Sequence, residues 1–154
     1  MARGDLTVFN ELVVSLAEKK INLETDTIKL ALITNVVTPT VNATTPQWGA
    51  GSGEDYDANE VSTAGGYVTG GLTVSGPVFT RSAAVGTFDD DGSNLAIAQN
   101  AAGFTNAYWG ILYSDTSTSK ECIAFLDLGG PVSEAAGPIA INWNASGILT
   151  LTRS

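Results

Sequence analysis

The chain has 154 residues, with 7 Lys and Arg against 16 Asp and Glu, no histidine and one cysteine, giving a formal net charge of −9. Without histidine it lacks the commonest general base and a leading metal ligand, which removes the usual catalytic triads and most zinc, iron and copper sites. So acidic a chain with no basic patch also makes a poor partner for a phosphate backbone or an anionic membrane, where Lys and Arg supply the affinity.

Leu6 to Lys20 sets Phe9, Leu12, Val13, Leu16 and Ala17 at spacings of three and four. That spacing predicts an N-terminal helix over 6–20, capped by Asp5 or Thr7, with Lys19 and Lys20 at the negative end of its dipole. From residue 27 the pattern changes to short β-branched or aromatic runs between Gly, Pro, Asn and Asp clusters, as in antiparallel β structure. Thr27 to Thr34 alternates Ile28, Leu30 and Leu32 with Thr27, Lys29 and Ala31, which predicts a strand with one buried face. Residues 38–70 hold Pro39, Pro46 and a series of glycines, with Trp48, Tyr56 and Tyr67 as large anchors. They predict a long loop, and loops of that length are usually functional or ordered by a partner.

Leu72 to Val74 reads as a short strand, and Val78 to Ser82 with Val85 to Phe88 as a hairpin. The turn Asp89-Asp90-Asp91-Gly92 and a strand over Leu95 to Ala98 follow. Ala107 to Tyr113 and Glu121 to Leu128 form the strongest predicted pair, and Pro138 to Trp143 with Ile148 to Leu151 reads as a closing hairpin. Eight or nine strands and one helix predict a single mainly β domain over 1–154, an antiparallel β-sandwich of jelly-roll-like type. No apolar run approaches the roughly 18 residues of a membrane span, and the N-terminus lacks a signal-peptide pattern, so synthesis in a cytoplasm is expected.

Each motif with chemical potential has a plainer explanation. The turn Asp89 to Asn94 offers oxygen ligands for calcium, but Asn100 stands where an EF-hand carries its bidentate Glu, so a solvated hairpin turn is expected. Glu54, Asp55, Asp57 and Glu60 are the acid and base candidates for a glycosidase, yet they crowd one Gly-rich loop. Tyr108, Trp109 and Tyr113 suggest a sugar-stacking platform, but alternate residues of a strand point opposite ways, which favours core packing. Arg3-Gly4-Asp5 matches the integrin tripeptide only as three residues, and the sequons at Asn42 and Asn144 matter only in a secreted eukaryotic protein. Cys122 is expected to be a small buried hydrophobe.

The segments Met1 to Asn10, Asp26 to Ile33, Asn59 to Tyr67, Ala98 to Trp109, Leu126 to Val132 and Trp143 to Gly147 carry a resemblance that spans nearly the whole chain. It resembles a family of small tailed-bacteriophage virion proteins that accompany the major capsid protein as decoration or cement subunits. The resemblance implies a non-enzymatic structural protein without cofactors on the outer surface of a capsid. There it bridges major capsid subunits as a homo-oligomer, a dimer or trimer, with no nucleic-acid or membrane partner. A tail or head-fibre component and a surface carbohydrate-binding module are the alternatives. Charged residues make up only 15% of the chain, against roughly 25% in typical soluble proteins, and such a charge-poor surface suits close packing against neighbours. Aromatic anchors in Gly-rich segments point to Arg3, Leu6 and Phe9 near the N-terminus, and to Trp48, Tyr56 and Tyr67 in the long loop, as contacts to capsid or sister subunits.

Overall fold

The computed structural model describes residues 2–49 and 53–153. Ten strands and one short helix appear among them: β1 (Leu6–Val8), α1 (Leu12–Ala17), β2 (Ile28–Ile33), β3 (Leu72–Thr73), β4 (Val78–Ser82), β5 (Val85–Asp89), β6 (Leu95–Ile97), β7 (Ala107–Ser114), β8 (Cys122–Val132), β9 (Ile139–Ile141) and β10 (Leu149–Thr152). The strands form antiparallel sheets of five (β1-β8-β7-β2-β3), three (β10-β5-β4) and two (β6-β9). The protein is therefore mainly β with a sandwich-like layering, although these strand orders do not trace the paired Greek keys of a jelly roll. Among the described residues, no helix is long and apolar enough to cross a membrane.

The expected helix over 6–20 is replaced by a strand and a six-residue helix. Leu6 to Val8 pairs with Leu126 to Ala124, and the Phe9 N–H still donates to Ile123 O, so the extended backbone persists to residue 9. Tertiary pairing overrides the helical spacing here, and β-branched Thr7 and Val8 suit a strand. Neither Asp5 nor Thr7 caps the helix; Glu11 is its N-cap and makes no side-chain capping bond. At the other end Lys19 adopts φ 58°, with Lys19 N–H donating to Leu16 O and Lys20 N–H to Ser15 O. That left-handed exit with its paired bonds ends the helix. Leu12 and Ser15 are buried, whereas Val13 on the expected apolar face is 68% exposed.

The central five-stranded sheet is buried on both faces, not on one as the alternation of β2 suggested. Ile28, Leu30 and Leu32 join a core with Phe88 and Leu149 of the three-stranded sheet and with Leu95, Ile97 and Ile141 of the two-stranded sheet. Ala31 and Ile33, from the opposite face of β2, join a second core with Ile111, Tyr113, Phe125, Phe9, Ala43, Trp48 and Tyr56. The segment between β2 and β3 thus supplies the third layer. Apart from a 3₁₀ turn at Asp57–Asn59 and isolated bridges such as Ile33 to Glu60 and Gln47 to Glu121, its described part is irregular.

The expected β4–β5 and β7–β8 pairs form, with a register shift between Leu112 and Tyr113. The expected closing hairpin does not. β9 pairs with β6 and β10 with β5, which separates the two segments into different sheets. Glu134, in the β8–β9 loop and fully buried, ties that loop to the β2–β3 segment by accepting the Gly66 N–H on Oε1. A Cβ at Gly65 or Gly103 would lie 2.6 Å or 2.5 Å from that carboxyl group, closer than a side chain can come, so both sites require glycine.

Candidate functional site

The residues singled out as contacts divide sharply. Arg3 is exposed and Leu6 half-buried at the outer edge of the central sheet. Phe9, Trp48, Tyr56 and Tyr67 are all at least 95% buried, so a partner cannot reach these rings in this conformation. Trp48 stacks on Tyr113 with ring centroids 5.1 Å apart, and Phe9 lies 6.0 Å from Tyr56 and 5.0 Å from Phe125. The Tyr67 hydroxyl accepts the Leu32 N–H at 2.9 Å and donates to Glu60 at 2.8 Å; Glu60 also accepts the Gly70 N–H at 2.7 Å. Burial and the adjacent Glu60 carboxylate push the Tyr67 phenol well above its ordinary value, although the Leu32 N–H works the other way. The aromatic anchors therefore order the long loop against its own sheet.

The loop carboxylates are also drawn into local structure. Glu54 accepts the Tyr56 hydroxyl at 3.1 Å, and Asp55 accepts the Gly49 N–H at 2.6 Å. Partial burial and the neighbouring Asp55 raise the Asp57 carboxyl. In the acidic turn, Asp90 accepts the Gly92 N–H, and Asp91 accepts both the Ser93 N–H and the Ser75 hydroxyl, bonds that hold Asp91 below the usual carboxylate range. Among the described residues no group of three or more Asp, Glu or Cys is placed to hold a metal ion. The three aromatics of β7 do not make a platform: Tyr113 is buried under Trp48, and Trp109 meets Phe125 edge-on. Cys122 is buried, and desolvation pushes its thiol far up, as fits an inert core position.

A different surface combines apolar exposure with positive charge. Phe79 of β4 and Leu151 of β10, both half-buried, are shared by two adjoining grooves of about 430 and 520 Å³. Leu16, Ile21, Lys19 and the carboxylate of Glu24 line the first, and Arg81 and Arg153, without an acidic residue, the second. The β4–β5 pairing explains the placement: Phe79 sits opposite Phe88, and Arg81 opposite Gly86 near the hairpin tip. Gly86 leaves room for the Phe79 ring, which would lie 2.6 Å from a Cβ there. Elsewhere Lys20 pairs with Glu18, while Lys29 and Lys120 both pair with Asp115. Lys19, Arg81 and Arg153, three of the seven cations, thus stand around one apolar face of an acidic protein, with Glu24 beside Lys19 and the positive charge concentrated at Arg81 and Arg153. Sequence reasoning missed this face because Arg81 and Arg153 are 72 positions apart, and only the β4-β5-β10 order brings them together. Comparison with protein-family models, with curated proteins and with solved structures yields no match to this chain.

Proposed function

We propose that this chain is a non-enzymatic virion structural protein that binds the outer surface of a tailed-phage capsid and bridges major capsid subunits. The family resemblance of the sequence motivates the reading. The observation that carries it on the molecule is the cation-flanked apolar face around Phe79 and Leu151. On a chain of net charge −9, such a face selects an acidic, partly apolar patch, and the proposed occupant is one on the exterior of the capsid protein. The remaining negative surface is repelled by packaged DNA, which favours the outside of the shell. Each contact need not be strong, because a homo-oligomer engaging several capsid subunits gains through effective concentration.

Co-sedimentation with particles lacking the subunit tests this. The wild-type chain should pellet with the particles, and the double variant Arg81→Glu with Arg153→Glu should stay in the supernatant. Its stability should remain within about 0.5 kcal/mol of wild type, as for other exposed substitutions. Equal occupancy by the variant would remove the face from the account.

A further inference from the structure

We propose that β4 is the contact between two copies of this chain, which pair antiparallel about a two-fold axis at Thr80. β4 ends the three-stranded sheet, so among the described residues no strand pairs with its outer side. Thr80, Arg81 and Ser82 are exposed there. Such an edge presents a row of main-chain donors and acceptors, a template for a further strand.

The hairpin fixes which groups point outward. Only Ala83 and Ala84 separate β4 from β5, so Ser82 and Val85 are the first hydrogen-bonded pair, followed by Thr80 with Thr87 and Val78 with Asp89. The N–H and C=O of Phe79 and Arg81, between them, face away from β5. An incoming strand bonds fully only where its own outward residues meet these two. With Phe79 opposite Arg81 of the partner subunit, and Arg81 opposite the partner's Phe79, four main-chain hydrogen bonds form. A slip of one residue sets outward groups against inward ones. A slip of two sets Arg81 either against the partner's Arg81, a like charge, or against the partner's Pro77, which has no N–H. The sequence of β4 therefore complements itself in one register.

The side chains suit the same register. Phe79 and Arg81 project from one face of the strand, so each Phe79 ring has the partner's Arg81 as its cross-strand neighbour, and the two Arg81 charges are held apart. The pair joins the two β10-β5-β4 sheets into one of six strands. Its two-fold contact uses up both β4 edges, so association through β4 stops at the dimer. Both cation-flanked faces then lie on the same side of that sheet, where two capsid contacts reinforce each other. The pairing deepens the homo-oligomer part of the proposed function and rests on that part alone. Dimerisation is read on the isolated protein and attachment on particles, so the two fail separately.

Sedimentation of the full chain over a range of concentrations tests the pairing, and wild type should reach twice the mass of one chain. Arg81→Pro, which removes an outward N–H and leaves the hairpin bonds intact, should weaken the dimer by about tenfold or more, with circular dichroism unchanged. Arg81→Ala, which keeps the N–H and loses the charge, should weaken it by no more than about fivefold. Thr80→Cys places two thiols across the axis, where opposed Cα atoms lie about 4.5 Å apart, within reach of a disulfide. It should cross-link on mild oxidation, whereas Ser82→Cys, with its two Cα atoms about 14 Å apart, should not. The native Cys122 is buried and does not compete. Amides of Phe79 and Arg81, open to exchange in dilute protein, should gain protection as concentration rises. A wild-type chain that stays monomeric up to its solubility limit overturns the proposal. So does a folded Arg81→Pro variant that dimerises as wild type does, or Ser82→Cys cross-linking as readily as Thr80→Cys.

Discussion

Trp48 illustrates how residue type and residue role part company. A large aromatic ring in a Gly-rich segment was expected to face a partner, but at 4% exposure it is spent on Tyr113. The sequence shows that an anchor exists; it cannot show whether the anchored surface belongs to the same chain. Trp48→Ala should cost about 3–5 kcal/mol in chemical denaturation, as truncation of a buried aromatic does. A loss below about 1 kcal/mol would mean that the ring is not a core element. Asp115 makes a gentler prediction. Hydrogen bonds and charge from Lys29 and Lys120 hold its carboxyl below the ordinary range. A carboxyl with a lowered folded-state pKa contributes stability above its unfolded value near 3.9, and loses that contribution as pH falls through the folded value. Asp115→Asn should therefore cost no more than about 1 kcal/mol at neutral pH, because the group is a quarter exposed, and should flatten the acid limb of the stability curve below about pH 4.

At the scale of elements, local patterns succeeded where partners are near in sequence. The β4–β5 and β7–β8 pairs are adjacent runs with polar turns between them, and both form. The closing hairpin failed because Ile139–Ile141 and Leu149–Thr152 find better partners in β6 and β5, a choice among distant strands that alternation does not encode. The helix was over-extended for the same reason, its first apolar residues being claimed by β8. The resulting architecture predicts a graded opening. Amides of Ile111, Leu112, Ala124 and Phe125, on central strands with both faces covered, should exchange slowest with solvent. Those of β4, an edge strand exposed over Thr80 to Ser82, should exchange early. Protection of β4 equal to that of β7 would show that the sheets open as one unit.

For the whole molecule, the pattern of short apolar runs between turn residues was the most informative part of the sequence. The mainly β class followed from strand-like runs between turn residues, while the structural role suggested by the lack of histidine and the few charges stays a proposal. The candidate attachment face was not legible, because it is assembled from segments far apart in sequence. The attachment reading is tested most directly by comparing density maps of particles assembled with and without this chain. It predicts additional density on the outer surface, between neighbouring capsid subunits, with the β4–β5 hairpin tip turned toward the shell. Density confined to the genome-facing side or to the tail, or identical maps, would contradict it.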